Sequence, residues 1–312
     1  PMLGQPFATY AGTLKTYVPQ NNNISDLYRD AFTGVQNLSF SKSDKTSSLR
    51  LSYTLTNAND VIEKQNVRTK HNFSFNASRE IKSKLTLEAR LQYTIDDVQN
   101  RVYRNMNPNS PMNSHIYLTR SVAVNDMKPW ADADGNSFNS TNISAIENPY
   151  WLINENYNED KKNRLIGGVT STYKITKELK FRAQIATDIA SGDGFVYIEK
   201  GGNRARFGSY NNFTQNQQNW NTEGLLMFNK QVKDFSLSAL LGGNLRSNRQ
   251  FQTTAAIASL AEQNNMSITN SAGQQVASEK LTRYKVNSLF ATTSVGYKKY
   301  LYLDLTARND WS

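Results

Sequence analysis

Cysteine is absent from the 312-residue sequence, and histidine occurs only twice, as His71 and His115. Without cysteine the chain has no disulfide and no thiolate metal site. The two histidines lie far apart in the sequence, and neither has a nucleophile or base beside it in a catalytic pattern. The sequence therefore predicts no enzyme activity, no cofactor and no metal site.

Long apolar runs are also missing. Hydrophobic residues make up 38% of the chain, but no run reaches the roughly 18 apolar residues that a membrane-spanning helix needs. Membrane-spanning strands are still compatible with the sequence, because only every second residue of such a strand has to be apolar.

The dominant pattern is a period of two. In residues 85–95, "LTLEARLQYTI", all the odd positions are apolar and all the even positions are polar or charged. Since successive side chains leave a strand on opposite faces, this stretch has one apolar and one charged face. Ten segments of this kind predict ten strands, at about residues 35–40, 48–56, 67–78, 85–96, 164–175, 179–189, 218–229, 235–246, 281–297 and 301–312.

The connections between these strands alternate in length. Tight turns such as "REIKSK" and "KITKELK" alternate with longer segments rich in Asn, Ser and Gly, at residues 57–66, 97–163, 190–217 and 247–280. Antiparallel strands joined in order place all the short turns at one end and all the long loops at the other. A helix-like patch, formed by Ile24, Leu27, Tyr28 and Ala31, precedes the first strand.

The positive charge, formally +10, is concentrated at the short turns. Twelve lysine and arginine residues lie in or beside them, against four acidic residues. They are dispersed one turn at a time rather than in a basic stripe with stacking aromatics, so no nucleic-acid partner is predicted. Aromatic pairs flank the same turns, as in the girdles of membrane barrels, although aromatic residues also favour strands in general. These pairs are Tyr173 and Phe181, Phe228 and Phe235, and Tyr297 and Tyr302.

A water-soluble β-sandwich and a membrane β-barrel both explain the alternation. Two features favour the barrel: many strands exceed the usual 5 to 6 residues, and every second connection is tight. Charged residues on the other face, such as Glu88, Arg90 and Asp188, suit a water-filled lumen. The predicted fold class is thus all-β, an antiparallel transmembrane β-barrel segment with its apolar face toward lipid.

Several stretches resemble one family. Residues 300–312, "YLYLDLTARNDWS", resemble a barrel strand of the SusC-like (SusC/RagA) family of TonB-dependent outer-membrane transporters. Residues 17–54 resemble that family's passage from the plug domain into its first barrel strands, and residues 67–94 are similar to the next hairpin. Residues 128–138, "KPWADADGNSF", resemble a hairpin in an external loop.

The resemblance implies a domain plan. Residues 1–34 would be the plug-to-barrel connection with a short helix, and residues 35–312 the N-terminal part of the barrel, with the plug domain and C-terminal strands absent. About ten of about 22 strands would be present, with short periplasmic turns and long extracellular loops. Because the sequence stops within a strand, we expect this segment to be part of a larger sheet rather than a closed barrel.

The resemblance also implies location and partners. The chain would lie in the bacterial outer membrane, in contact with lipid, and would import glycans or peptides together with a SusD-like lipoprotein. The TonB complex would act through an N-terminal region of the parent protein. The alternative is a structural or adhesive β-domain that does not transport and whose loops bind a partner.

The longest predicted connection, residues 97–163, holds the candidate contact site. Its large side chains lie among many amides; they are Tyr103, Arg104, Trp130, Tyr150 and Trp151. Aromatic faces and amides bind sugars and peptides alike, so the substrate class is left open. A loop folded on its own small apolar core explains the same tryptophans.

Two short motifs suggest ion or phosphate binding but fit turns better. "DADGN", residues 132–136, alternates oxygen ligands as in a calcium loop, but it lacks the closing glutamate, and its Asp-Gly pair is a hairpin signal. "GGNRARFG", residues 201–208, lacks the Lys-Ser/Thr ending of a phosphate loop. We expect a turn and an irregular external loop, respectively.

Overall fold

The structure is a computed structural model that describes residues 5–8, 14–23, 25–103, 107–118, 122–138 and 146–312. Within these residues nearly all of the regular secondary structure is β-strand. No helix in this part of the chain is both long enough and apolar enough to span a bilayer.

Ten strands form one antiparallel sheet in which each strand pairs with its neighbours in sequence. Two short strands, β1 (Pro6–Ala8) and β2 (Leu14–Thr16), pair with each other outside this sheet. The sheet strands are β3 (Thr33–Ser43), β4 (Ser47–Ala58), β5 (Val67–Ile81), β6 (Leu85–Gln99), β7 (Tyr157–Lys174), β8 (Leu179–Ile198), β9 (Ser209–Val232), β10 (Phe235–Ile257), β11 (Gln275–Tyr297) and β12 (Leu301–Trp311). Two helices, α1 (Pro111–Ile116) and α2 (Pro149–Asn154), lie in the long connection between β6 and β7. The ten predicted strands and their order are confirmed.

Most strands are longer than predicted, and the largest extensions, in β7 to β11, lie at the end away from the tight turns. β9 covers 24 residues, which is about 80 Å of extended chain against an apolar band of about 25 Å. Its first half, "SYNNFTQNQQ", is mostly polar, and its two aromatic residues, Tyr210 and Phe213, lie on opposite faces, so the alternation that marks a strand disappears there. The backbone still pairs along its whole length with β8 and β10.

The tight turns follow from local backbone geometry. Lys82 and Ser83 both have positive φ, at 48° and 53°, which is the conformation of the two central residues of a type I′ turn. Between β3 and β4, the Asp44 carboxylate accepts hydrogen bonds from the Ser47 hydroxyl and from the Thr46 and Ser47 amides. These bonds lower the pKa of Asp44 below its usual value.

The two faces of the sheet differ in chemistry. In the register, Leu91 lies opposite Phe75, and Tyr93 lies opposite Phe73 and Leu165, which forms an apolar row. The even positions of β6 place Glu88, Arg90 and Gln92 on the other face. A hollow of about 780 Å³ lies on that polar face.

The sheet is open, because β3 and β12 each pair on one side only. The short helix predicted before the first strand is instead a single 3-10 turn, Ser25–Leu27. The helix does not continue because the Arg29 amide donates to the carbonyl of Val61 in the next connection, at 2.7 Å. Ile24, the first residue of the predicted helical patch, lies outside the described residues.

Candidate functional site

The long connections all lie at one end of the sheet, called here the loop end. They comprise residues 59–66, 100–156, 199–208 and 258–274, between successive strand pairs. The segment before β3 reaches the same end, because β3 runs from there to the first tight turn. The loop end contains the predicted contact site.

A small apolar core binds three separate segments of the loop end together. Leu27, Ile62, Val124 and Ile153 form one buried cluster, with Tyr150 packed against it. Ile62 and Val124 have no exposed surface. Because these residues come from the N-terminal segment, the first long connection and the second, the core fixes the three segments relative to one another.

Helix α2 is held by a buried asparagine. The Asn148 side chain accepts a hydrogen bond from the Tyr150 amide at 2.9 Å and so caps the helix. Its amide nitrogen donates to the carbonyl oxygens of Met127 and Phe138, at 2.9 and 2.7 Å. Asn148 is completely buried, and its bonds join the helix to the preceding part of the same connection.

A second buried polar residue, Glu147, joins two connections. Its carboxylate accepts hydrogen bonds from the Ser137 hydroxyl at 2.5 Å and from the Arg204 amide at 3.1 Å. Burial raises the pKa of the Glu147 carboxyl above its usual value, and the hydrogen bonds that it accepts partly offset the rise. Ser137 and Arg204 belong to different connections, so Glu147 holds them together.

The predicted "DADGN" turn is confirmed. Ala131 and Ser137 form an isolated antiparallel bridge around it, and the Asp132 carboxylate accepts from the Asp134 and Asn136 amides. Gly135 has a positive φ of 76°, which favours glycine. The Asp132 side chain thus serves the turn itself.

The loop from residue 258 to 274 packs against this turn. Gln263 donates a hydrogen bond to the Gly135 carbonyl at 2.9 Å. A second apolar cluster lies where β8 and β10 end and β9 begins. It consists of Tyr197, Tyr210, Ile257 and Leu260. The buried Glu199 carboxylate accepts from the Tyr197 hydroxyl at 2.7 Å and from the Asn264 amide at 2.8 Å.

The predicted contact residues occupy different environments. Trp151 is 2% exposed and belongs to the buried interior of the loop end. Trp130 is half-buried, and its indole nitrogen donates to the Glu155 carboxylate at 2.6 Å. Tyr103 is half-buried, and burial raises its pKa. Arg104 lies outside the described residues.

Tyr150 is also half-buried, with burial as the main cause of its raised pKa. Its hydroxyl oxygen is buried and has no hydrogen-bond partner among the described residues. Tyr150 and Trp151 are consecutive on α2, and the bond from Trp130 to Glu155, the residue after α2, joins Trp130 to the end of the same helix.

The sequence patterns missed the polar residues that organise the loop end. Asn148, Glu147 and Glu199 were not singled out, although each is buried and multiply bonded. For Asn148 a signal existed, because an asparagine followed by proline and an apolar run marks a helix start. For the two glutamates nothing local in the sequence distinguishes them from surface residues.

Both histidines have structural partners. His71 on β5 forms a hydrogen bond through Nδ1 with the Tyr53 hydroxyl at 2.9 Å. His115 on α1 is 8% exposed, and its Nε2 lies 2.6 Å from the Asn23 carbonyl oxygen. Among the described residues no three histidine, aspartate or glutamate side chains cluster as metal ligands would.

The polar face of the sheet carries paired charges toward the loop end. Arg68 and Asp96, and likewise Arg164 and Asp188, form two-pronged ion pairs with nitrogen to oxygen distances of 2.7 to 2.8 Å. Such pairs tie adjacent strands together across the face. The hollow itself is lined by amides and by Glu88, Arg90, Arg182 and Arg246 among others.

No protein-family model and no curated protein matches the chain. Solved structures do match it. The RagAB peptide transporter superposes with a TM-score of 0.74 and 14% identity, over 93% of this chain and 33% of that one. The ferric citrate transporter FecA, unliganded, gives 0.50 and 11% over 90% of this chain and 38% of its own.

The ferric-catecholate import receptor Fiu from E. coli K12 gives a TM-score of 0.52 and 9% identity, over 90% of this chain and 43% of its own. All three are transporters or receptors. The chain spans about a third of the RagAB chain that it matches. At these identities the likeness is one of fold, and the ten-stranded sheet has the fold of a segment of a TonB-dependent transporter barrel.

Proposed function

We propose that the chain is part of the barrel wall of an outer-membrane TonB-dependent transporter, which imports glycans or peptides together with a SusD-like surface lipoprotein. The observation that carries the proposal is the fold likeness to the RagAB peptide transporter over 93% of the chain. RagAB is a peptide transporter, which makes peptides the first substrates to test. The TonB complex would act through the upstream part of the parent protein.

The exposed apolar face supports a lipid environment. Leu241, Leu289 and Leu303 are each more than half exposed, at 52%, 53% and 58%. They lie on neighbouring strands, so they contribute to one continuous apolar surface. A large contiguous apolar patch on the surface of a protein marks contact with a membrane or with another protein.

In this proposal the tight turns lie at the periplasmic rim and the loop end outside the cell, as in known outer-membrane barrels. A cysteine at Asp134, in the exposed hairpin turn, should react with an impermeant thiol reagent on intact cells. A cysteine at Lys82, in a tight turn, should react only after the outer membrane is opened. Labelling of Lys82→Cys but not Asp134→Cys on intact cells would invert the orientation.

For substrate or lipoprotein contact we propose the residues of the longest connection: Tyr103, Arg104, Trp130, Tyr150 and Trp151. Trp130 and Tyr103 keep part of their surface exposed, so they are the direct contact candidates. Trp151 is buried, and we assign it to holding the loop in shape.

Uptake by the full-length parent tests this proposal. Labelled peptides and oligosaccharides should enter cells only with an energised TonB complex. Trp130→Ala should lower uptake or lipoprotein association by up to about thirtyfold if Trp130 is a binding hot spot. Tyr117→Ala, at an exposed aromatic residue of the same connection, is the matched control. Surface binding without any uptake would instead favour the adhesive domain.

A further inference from the structure

The segment before β3 crosses the loop end and is called here the strap, residues 14–32. Residue 24 lies outside the described part of the chain. The strap has little regular structure of its own, only β2 (Leu14–Thr16) and the 3-10 turn Ser25–Leu27. Its position therefore depends on contacts with the long connections.

Asn23 makes the central contact, to residues about a hundred positions away. Its side-chain amide donates to the Val122 carbonyl at 2.9 Å, and its side-chain oxygen accepts from the Val124 amide at 2.5 Å. Its own carbonyl accepts from Nε2 of His115 at 2.6 Å. Because a carbonyl can only accept, Nε2 carries the proton in this bond. One asparagine thus fixes both α1 and the following 3-10 turn.

Charged and polar contacts flank Asn23 on both sides. Lys15 pairs with Asp126 at 2.5 Å, and the Asp26 carboxylate accepts from the Asn125 side chain at 2.5 Å. Both partners belong to the 3-10 turn Val124–Met127. Leu27 packs in the apolar cluster beside Val124.

The far end of the strap is bonded to the first long connection. Phe32 and Asn59 exchange two hydrogen bonds: the Phe32 amide donates to the Asn59 side chain at 2.8 Å, and the Asn59 amide donates to the Phe32 carbonyl at 3.0 Å. Arg29 bonds to Val61 in the same connection. The strap therefore links the first and second long connections, which β5 and β6 separate in the sequence.

We propose that the strap sets the position of residues 107–118 and 122–127, with Asn23 as the positioning residue, and that release of the strap frees these residues to move. Leu27 and His115 are buried members of this contact set. The other contacts are polar and partly exposed; the Lys15 and Asp126 side chains are 41% and 37% exposed. Exposed pairs of this kind are individually weak, so the strap is held by several contacts that can be lost together. The positioned segment runs directly into residues 128–138, which include Trp130. Only the uptake arm of the test below rests on the proposed transport function.

Hydrogen exchange in the full-length parent tests the positioning role. In Asn23→Ala, peptides covering residues 111–127 should exchange about tenfold faster, because two partly buried hydrogen bonds of the Asn23 side chain are lost. Asn22→Ala is the matched control, since the Asn22 side chain is exposed and only its carbonyl makes local bonds. Asn23→Asp keeps the acceptor for the Val124 amide and should give an intermediate rate. Peptides from β8 to β11 should be unchanged in all three. Equal exchange in Asn23→Ala and Asn22→Ala would overturn the proposal.

A reversible cross-link tests whether the strap has to be released. Cysteines at Asp26 and Asn125 would be joined by a short thiosulfonate cross-linker that reductant cleaves; this chain has no other cysteine. Peptide uptake should fall at least about tenfold on cross-linking and return with reductant, while each single-cysteine variant transports normally. Full uptake by the cross-linked protein would contradict release of the strap. Absence of uptake in the unmodified parent would overturn the transport function, and the exchange experiment would still decide the strap's positioning role.

Discussion

Large apolar side chains are exposed on the sheet but buried in the loop end. In the regular strands Leu241, Leu289 and Leu303 are more than half exposed. In the irregular connections Ile62 and Val124 have no exposed surface and Trp151 has 2%. Apolar residues are usually buried in regular elements and exposed, if at all, in loops.

The difference indicates that the two regions are built for different surroundings. The loop end buries its apolar side chains against each other, as a protein in water does. The sheet has one polar face that lines a hollow and one apolar face on which none of the described residues forms a packed core. Under the same hydrophobic rule, such a face is stable only next to another apolar medium, and lipid supplies it in the proposed barrel.

Removing the largest buried side chain of the loop end should have the largest effect. Trp151→Ala should lower the local free energy of unfolding of the loop end by about 3 to 5 kcal/mol, through lost burial and the cavity left behind. Hydrogen exchange of α2 in the parent measures this change. Tyr117→Ala, at 46% exposure, should change it by about 0.5 kcal/mol or less. Similar losses at both positions would mean that the loop end has no core of its own.

A charge on the apolar face of the sheet should come next. Leu91→Arg should destabilise the assembled barrel by about 2 to 4 kcal/mol, the cost of arginine at the midplane of a membrane barrel. Gln92→Arg, one residue along β6 and on the polar face, should be tolerated. The yield of folded, heat-modifiable parent in outer membranes measures both. Equal tolerance would remove the lipid assignment of the odd positions.

Loss of the α2 cap should be a smaller change. Asn148→Ala removes the bond to the Tyr150 amide and two donated bonds, and should cost about 1 to 2 kcal/mol of local stability. Protease cleavage within residues 146–156 reports this local opening. Asn136→Ala, at an exposed asparagine of the same connection, is the control and should cleave like the wild type.

The smallest expected effect is a pH dependence at Glu147. Its pKa in the folded protein is raised by burial, so its stabilising contribution is full below the unfolded value of about 4.3. That contribution is lost as the pH rises through the higher folded value. The denaturant midpoint of tryptophan fluorescence should therefore fall from pH 5 to pH 8 more in the wild type than in Glu147→Gln. Identical slopes would show that Glu147 does not titrate in this range.

The sheet was largely predictable from sequence, and the reason is physical. One buried or lipid-facing side forces the strict alternation seen in residues 85–95, and turn chemistry marks each short connection. Several strands were predicted too short at the loop end, as in the first half of β9, because the residues there are mostly polar and do not alternate with apolar ones. The single 3-10 turn at Ser25–Leu27 was predicted as a longer helix. The hydrogen bond from the Arg29 amide to the Val61 carbonyl ends the helix, and a contact between residues so far apart cannot be predicted from the local sequence pattern.

The loop end was predictable only in part. The "DADGN" turn could be assigned because aspartate and glycine fix the backbone locally. The burial of Trp151 and the partners of Asn23, Glu147 and Glu199 depend on segments that are distant in sequence. Their side chains follow no period, so no pattern in the sequence places them together.

The central claim, that the apolar face of the sheet contacts lipid, is most directly tested by spin labels placed one at a time at residues 85–95 of the full-length parent in bilayers. Accessibility to oxygen, which concentrates in lipid, should alternate with a period of two and be highest at the odd positions. Accessibility to a water-soluble nickel complex should be low at those positions. Oxygen accessibility that is highest at the even positions, or that shows no alternation, would contradict the account.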